Sequence, residues 1–396
     1  MNKITKIIVG VVVIVLVVWA IVAKTGSKSS APLMQSSTIK VGIIAPLTGT
    51  ASSYGTEGKN SVVLALDEIN ANGGIAGKKV EYVIEDGKCE ATAAINAWNK
   101  LVNVDKVQAV FGGHCSTETL TIAPLTAKDH VPAFAVFTTS PNVANEGEWV
   151  FRHVSTNAYY GTALADQAYA KGYKNIAVLT EVKDFPVTYS DAFIKEFKAR
   201  GGTVTLDERF DPGTKDYRTV ALKLKDVKYD AVFVSTQGAD VSGILASQIK
   251  TLSLDKAFLF THTFSPTAFL KGSNGYMPKS ILAITPYSDE NSASVKEYNA
   301  KYVQKYGKMY DFGNFFEIAD YDIVYRYKNA AEACVQDGNA SGFSTDCVRD
   351  QFKKATSYNG AAGNVTISSQ YSPHGVLTPI GFIKVTNGVQ SFELIK

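Results

Sequence analysis

Short apolar runs alternate with helical patterns along most of this chain, and few folds satisfy that alternation. Ile39–Ala45 is continuously apolar, as suits a parallel strand buried on both faces. After a loop at Pro46–Thr50, Gly58–Asn72 places Val62, Leu66 and Ile69 on one helical face, and Asn72-Gly73-Gly74 closes it. Val80–Glu85 is the next strand, and Ala91–Val104 a helix with Ala94, Trp98, Leu101 and Val102 inward. Val107–Phe111 and Pro132–Phe137 are further strands, each followed by a helix. A second wind begins near Ala158. Strands Asn175–Thr180, Val204–Leu206, Ala231–Ser235 and Ala257–Thr261 alternate with helices Tyr189–Arg200, Tyr217–Lys225 and Val241–Thr251, and Lys279–Thr285 leads back out. The pattern predicts an α/β protein of two doubly wound parallel-sheet lobes with right-handed crossovers. Three helical patterns follow, at Ser292–Tyr306, Phe316–Val335 and Ser344–Ala355. The chain ends in a hairpin, Pro379–Val385 and Gln390–Ile395 around the turn Asn387-Gly388.

The net charge of +3 belongs to the amino terminus. Lys3, Lys6, Lys24 and Lys28 precede residue 38 with no acid among them, which leaves the body near neutrality. A near-neutral body lacks the basic face that a nucleic-acid partner requires. Lys3 and Lys6 flank a charge-free run, Ile7–Ala23, long for a signal-peptide core and short for a full span. It reads as an uncleaved anchor or a cleaved signal, and Lys24–Ser37 as a polar linker. Either reading puts the body outside the cytoplasm, attached to the membrane through the segment or released. An even number of cysteines, Cys89, Cys115, Cys334 and Cys347, favours disulfides in that setting, with four free thiols as the alternative.

Enzyme signatures are weak. Gly58-Lys59 has Ser53 where a phosphate-binding loop needs glycine, and no GxSxG, HExxH or CxxC occurs. The five histidines show no metal-ligand spacing, so no cofactor, metal or catalytic group is expected. Two strand-to-helix junctions carry more. Cys115-Ser116-Thr117-Glu118 and Thr138-Thr139-Ser140-Pro141 each place hydroxyls and free N–H groups at an expected helix start, a natural anion site. Plain helix capping explains either junction alone. Aromatic and hydroxyl residues also mark other loop tips: Tyr54, Phe137, Phe185, Tyr189 and Thr261–Phe264.

Several stretches resemble one family. Lys40–Gly49 is similar to its opening strand and loop, and Tyr54-Gly55 to its aromatic-glycine pair. Asp67–Gly77 (DEINANGGIAG) is the most specific match. Glu85-Asp86 with Cys89, Gly113–Ser116, Asp216-Tyr217 and Tyr321-Asp322 complete it. The chain resembles, from residue 38 onward, the leucine/isoleucine/valine-binding proteins, the substrate-binding subunits of branched-chain amino acid ABC transporters with the type I periplasmic-binding fold.

The resemblance implies two lobes joined by three crossing segments, near Phe151–Ser155, Ala283–Tyr287 and Ala361–Asn364. Residues 1–37 would be the signal or anchor with its linker. Residues 38–153 with 286–361 would form one lobe, and 154–285 with 362–396 the other. It implies a Cys89–Cys115 disulfide, a small amino-acid-like solute as ligand and permease subunits as partners. Ser116 and Thr139 would hold a carboxylate, with Thr138 and Phe137 offering backbone groups. Tyr54, His114 and Cys115 would line the pocket, and Phe185, Gln237, Thr263 and Phe316 would close it. The family's amino-acid binders commonly place an acid where Thr263 aligns, and their Tyr-Gly motif is here Phe185-Pro186. Asp184, Asp240 or Glu317 would have to replace that acid; otherwise the ligand lacks an ammonium group.

Overall fold

The computed structural model describes residues 38–135, 137–145, 147–310, 314–336, 344–368, 375–386 and 389–394. The Ile7–Ala23 segment and the Asn387-Gly388 turn lie outside the described residues.

The first wind folds into strands β1 (Thr38–Ala45), β2 (Lys79–Asp86), β3 (Val110–Gly112), β4 (Ala133–Ala135) and β5 (Val150–Arg152). They pair in the order β2-β1-β3-β4-β5, all parallel. Helices α1 (Ser52–Ala71), α2 (Ala91–Asn99) and α3 (Ser116–Asp129) cover its faces. Alternate residues of β1 serve opposite faces, as a buried strand requires. Ile39, Val41 and Ile43 pack with Val62, Leu66 and Ile69 of α1, while Ile44 packs with Trp98 and Leu101.

The second wind contributes β6 (Asn175–Glu181), β7 (Thr203–Phe210), β8 (Ala231–Ser235), β9 (Ala257–Phe260) and β10 (Ser280–Pro286). Its helices are α4 (Asn157–Ala170), α5 (Asp184–Ala199), α6 (Arg218–Leu222), α7 (Ala239–Thr251) and α8 (Pro266–Gly272). Helices α9 (Ala293–Tyr306), α10 (Asn314–Gln336) and α11 (Thr345–Lys354) follow, and both α9 and α10 pack on α1 of the first lobe. Then come β11 (Ser357–Gly360), β12 (Gly363–Ser368), β13 (Gly375–Leu377), β14 (Ile380–Thr386) and β15 (Val389–Leu394). The second sheet runs β15-β14-β10-β9-β8-β6-β7, with β14 and β15 antiparallel additions at one edge. Strands β11–β13 form a separate small sheet.

The chain passes between the lobes three times. It leaves β5 at His153–Thr156, leaves β10 after Pro286, and returns between β13 and β14 at Thr378-Pro379. Hydrogen bonds tie these passages together: the Thr378 N–H donates to Ser155 Oγ at 2.9 Å and the Tyr287 N–H to the Pro379 carbonyl at 2.9 Å. The crossing expected at Ala361–Asn364 is instead the β11–β12 hairpin turn. There the buried Asp322 carboxylate accepts the N–H groups of Ala361 and Ala362 at 2.7 and 2.9 Å and holds the turn on α10.

Two other expectations are corrected. Helix α1 starts at Ser52, not Gly58, because Gly55 and Gly58 lie inside it. A Cβ at Gly55 would collide with Pro46, and one at Gly58 with Asp320 and His114, so these glycines serve close packing rather than a loop. The helix expected after Thr138–Pro141 is only a short 3-10 turn, Pro141–Asn145. The proposed second helix start is therefore absent.

Candidate ligand-binding site

The carboxyl ends of β1, β3 and β4 face those of β6, β8 and β9 across the junction of the lobes, the usual ligand position in open α/β sheets. Cys89 and Cys115 form a disulfide that joins the loop after β2 to the start of α3, with Cα atoms 5.4 Å apart. Cys334 and Cys347 form the second, between α10 and α11. Buried Glu118, in the first turn of α3, accepts the Cys89 N–H through Oε1 at 2.9 Å and the Cys115 N–H through Oε2 at 3.1 Å. Burial pushes its carboxyl up to about 7, against the pull of those donors.

Ser116 is thus the first residue of a rigidly held helix, buried, with its Oγ accepting the Ser140 N–H at 3.2 Å. Thr138 braces the neighbouring loop. Its hydroxyl donates to the Gly113 carbonyl at 2.6 Å, and its own carbonyl accepts Arg152 Nη1 at 3.4 Å. Arg152 donates more closely to the Ser140 carbonyl, at 2.7 Å, so a buried cation underlies the Thr138–Ser140 loop. Burial lowers its pKa to about 10, which leaves it charged at neutral pH. Thr139 stands between these ties. Its carbonyl accepts the Asn157 N–H at 2.7 Å, and its buried hydroxyl has no protein partner.

Aromatic rings complete the first-lobe wall. Tyr54 stacks on Phe137 at 5.2 Å, and Phe137 on Phe316 of α10 at 4.5 Å. The Tyr54 hydroxyl lies 3.1 Å from Cys115 Sγ. His114 lies behind Phe137, with Nδ1 at 3.0 Å from the Ile44 carbonyl and Nε2 at 3.3 Å from Asp320. Burial opposes its charge, yet Asp320 prevails and holds its pKa above the usual imidazole value. Both ring nitrogens are engaged, so its part is to support Phe137.

The second lobe presents Phe185 from the first turn of α5 and Gln237 from the loop before α7. The Gln237 N–H donates to buried Glu181 at 2.7 Å, while its Nε2 crosses the junction to the Tyr54 hydroxyl at 2.7 Å. At the rim, Thr117 Oγ1 donates to Asp184 at 3.0 Å. Thr263 is turned into its own loop, paired with Thr261 at 2.8 Å. Its neighbour His262 takes the central place. That ring lies among Tyr160 at 4.8 Å, Phe185 at 5.0 Å, Phe316 at 5.2 Å and Tyr189 at 5.7 Å. Burial pushes its pKa down to about 3, so the imidazole is neutral. Sequence reasoning misses His262 as a site residue; its place inside the Thr261–Phe264 loop tip is the one signal for it.

Buried polar atoms without a protein partner gather here: Thr139 Oγ1, Asn157 Oδ1, Tyr189 hydroxyl, Gln237 Oε1 and His262 Nδ1. A buried polar group left unsatisfied costs about 1–3 kcal/mol, so such a concentration marks a recognition surface. Two of the three candidate acids are engaged elsewhere: Asp184 receives Thr117, and Asp240 Oδ1 receives the Val241 N–H at 2.9 Å. Glu317 is buried near Glu57, between α10 and α1, and its two carboxyl oxygens have no hydrogen-bond partner among the described residues. Among the described residues no cluster of His, Cys, Asp or Glu is arranged to hold a metal ion.

Two parallel-sheet lobes joined by three tied crossings define the two-lobed fold of binding proteins. The family profile of periplasmic binding proteins matches residues 38–388, and the chain belongs to that family and has its type I fold. The Leu/Ile/Val-binding protein BraC3 of Rhizobium johnstonii is 28% identical over 61% of this chain and 66% of its own length. The alignment thus spans just under two thirds of that relative. The leucine-binding protein LivK of Thermotoga maritima superposes with a TM-score of 0.79 at 25% identity, over 91% of this chain and 99% of its own. A solute-binding protein of an R. palustris ABC transporter, in complex with 4-hydroxybenzoate, gives a TM-score of 0.77 at 20% identity, over 91% and 97%. These relatives and neighbours are binding proteins, not enzymes.

Proposed function

We propose that this chain is the extracytoplasmic solute-binding subunit of an ABC importer and closes its two lobes on a small carboxylate. One observation carries the reading: the Ser116 helix start, braced by the Cys89–Cys115 disulfide, lies beside the buried, unpartnered Thr139 hydroxyl at the lobe junction. Free N–H groups at a helix start favour an anion, and a hydroxyl beside them adds a donor. Ser116 and Thr139 receive the carboxylate, Tyr54, Phe137 and Phe316 line one wall, and Phe185, Gln237 and Thr263 with its loop form the other. Contacts made to both lobes at once shift the open–closed equilibrium toward the closed form, which the permease recognises. Two disulfides suit an oxidising compartment. The Ile7–Ala23 segment anchors the body to the membrane or is removed on export, and sequencing the amino terminus of the mature protein distinguishes these outcomes.

Native mass spectrometry of the purified protein, followed by a thermal-shift panel of amino acids, organic acids and amides, tests the reading. A carboxylate that copurifies and raises the melting temperature is the expected result. Stabilisation by amides or sugars alone, with none by any carboxylate, overturns it.

A further inference from the structure

A cavity of about 210 Å³ lies where α10, α11 and β11 meet, and no residue of the candidate ligand site lines it. Arg326 of α10 and Phe352 of α11 are buried in its wall; Asn329 and Ser357 are exposed beside them, with Gln351 and Tyr358. None of its lining residues is acidic. A water takes about 30 Å³ of liquid, so the cavity has room for a four-oxygen anion.

Arg326 is the unusual member. Its side chain is 5% exposed, and burial lowers its pKa to about 10, so it stays charged at neutral pH. A buried charge ordinarily meets an opposite one. Among the described residues Arg326 makes no ion pair. Its Nη1 donates to His153 Nδ1 at 2.9 Å, and its buried Nη2 has no hydrogen-bond partner. Burial, reinforced by the guanidinium, keeps His153 neutral, so this contact occupies one donor and leaves the charge. Asp322, one turn earlier on α10, gives its two oxygens to the Ala361 and Ala362 N–H groups. The Phe352 and Tyr358 rings, with centroids 4.8 and 6.0 Å from the guanidinium carbon, attract the cation, yet Nη2 keeps no acceptor. The last turn of α11 carries Lys353 and Lys354, whose charges offset the negative end of that helix.

We propose that this cavity binds a small oxyanion such as phosphate. The Arg326 guanidinium supplies the charge and a planar set of donors, and Asn329 and Ser357 add hydrogen-bonding groups at the mouth. The site is separate from the cleft between the lobes and does not depend on how that cleft is read. It adjoins the first crossing, because the same guanidinium holds His153 where the chain leaves β5.

Titration calorimetry of the purified protein with sodium phosphate, at neutral pH and constant ionic strength, tests this. The wild type should bind phosphate at one site per chain, with a dissociation constant of about 1 mM or tighter. Arg326→Gln should weaken binding at least ~10-fold. Arg326 is buried and its loss can unfold the chain, so the decisive variant is Asn329→Asp, an exposed and nearly isosteric change. Its carboxylate, three residues from Arg326 on the same helix, repels the anion and competes for the guanidinium, and should weaken phosphate about tenfold. Asn329→Gln, which adds no charge, should bind phosphate as the wild type does. No phosphate binding by the wild type, or equal binding by the wild type and Asn329→Asp, overturns the proposal.

Discussion

Gln237 of the second lobe donates from Nε2 to the Tyr54 hydroxyl of the first at 2.7 Å, and this bond exists only while the lobes are together. The same amide nitrogen lies 3.8 Å from Cys115 Sγ, so the latch falls on the disulfide that fixes the start of α3. Closure, the aromatic wall and the start of α3 therefore share one contact.

Removing the latch should affect binding more than folding. Gln237→Ala leaves the Tyr54 hydroxyl buried with one partner fewer in the closed form alone, at a cost of about 1–2 kcal/mol. Affinity for the copurified solute, measured by titration calorimetry, should fall about tenfold. The melting temperature of the ligand-free protein should move little. A large drop in that temperature with unchanged affinity would assign Gln237 a purely structural role.

The rim contact makes a separate prediction. Thr117→Val removes the donor to Asp184 and keeps the shape of the side chain. Since Asp184 stays partly exposed, water replaces the lost donor, and affinity should fall by less than about fivefold. Small-angle scattering at saturating solute should still show a closed molecule.

Loss of the first disulfide should damage both stability and binding. Cys89→Ser with Cys115→Ala opens a loop of sequence separation 26. The chain-entropy account assigns such a closure about 3–4 kcal/mol, which calorimetry should detect as a melting temperature lower by several degrees. Binding should weaken as well, because Cys115 immediately precedes Ser116. Equal loss of stability with full affinity would mean that α3 holds its position without the bridge.

Two buried carboxyls give a pH signature. Burial lifts Glu118 from 4.5 and Asp322 from 3.8, each to about 7. Between about pH 4 and about pH 7 the folded protein keeps protons that the unfolded chain has released, so these groups' contribution falls as pH rises through that window. His153 and His262, buried neutral, act in the opposite sense on the acid side. The check is therefore differential: the stability advantage of the wild type over Glu118→Gln and Asp322→Asn, from urea unfolding, should shrink between about pH 4 and about pH 7. A constant difference would show that both carboxyls ionise normally.

Most of the two winds was legible because each buried strand is a run such as Ile39–Ala45 or Ala231–Ser235, and each helix carries one apolar face. Less legible were the places where packing overrides local signals. The helix expected from Gly58 begins already at Ser52, and Gly55 and Gly58 lie inside it where it passes close to Pro46 and His114. Thr138–Pro141 had the composition of a helix start, but Arg152 binds two of its carbonyls and only a 3-10 turn follows. The third crossing was misplaced because Asp322, distant in sequence, gathers the Ala361-Ala362 amides into a turn. In the site, local motifs indicated Ser116, Thr139 and Tyr54. His262 takes its significance from rings contributed by α4, α5 and α10, and no local pattern encodes that meeting.

The central claim is that a carboxylate binds between the lobes at Ser116 and Thr139. Titration calorimetry with the copurified solute, on the wild type and on Ser116→Ala/Thr139→Ala, tests it most directly. The account predicts one site per chain in the wild type and at least a ~100-fold loss in the double variant, two hydrogen bonds to a charged group being removed together. Unchanged affinity in a folded double variant would contradict it.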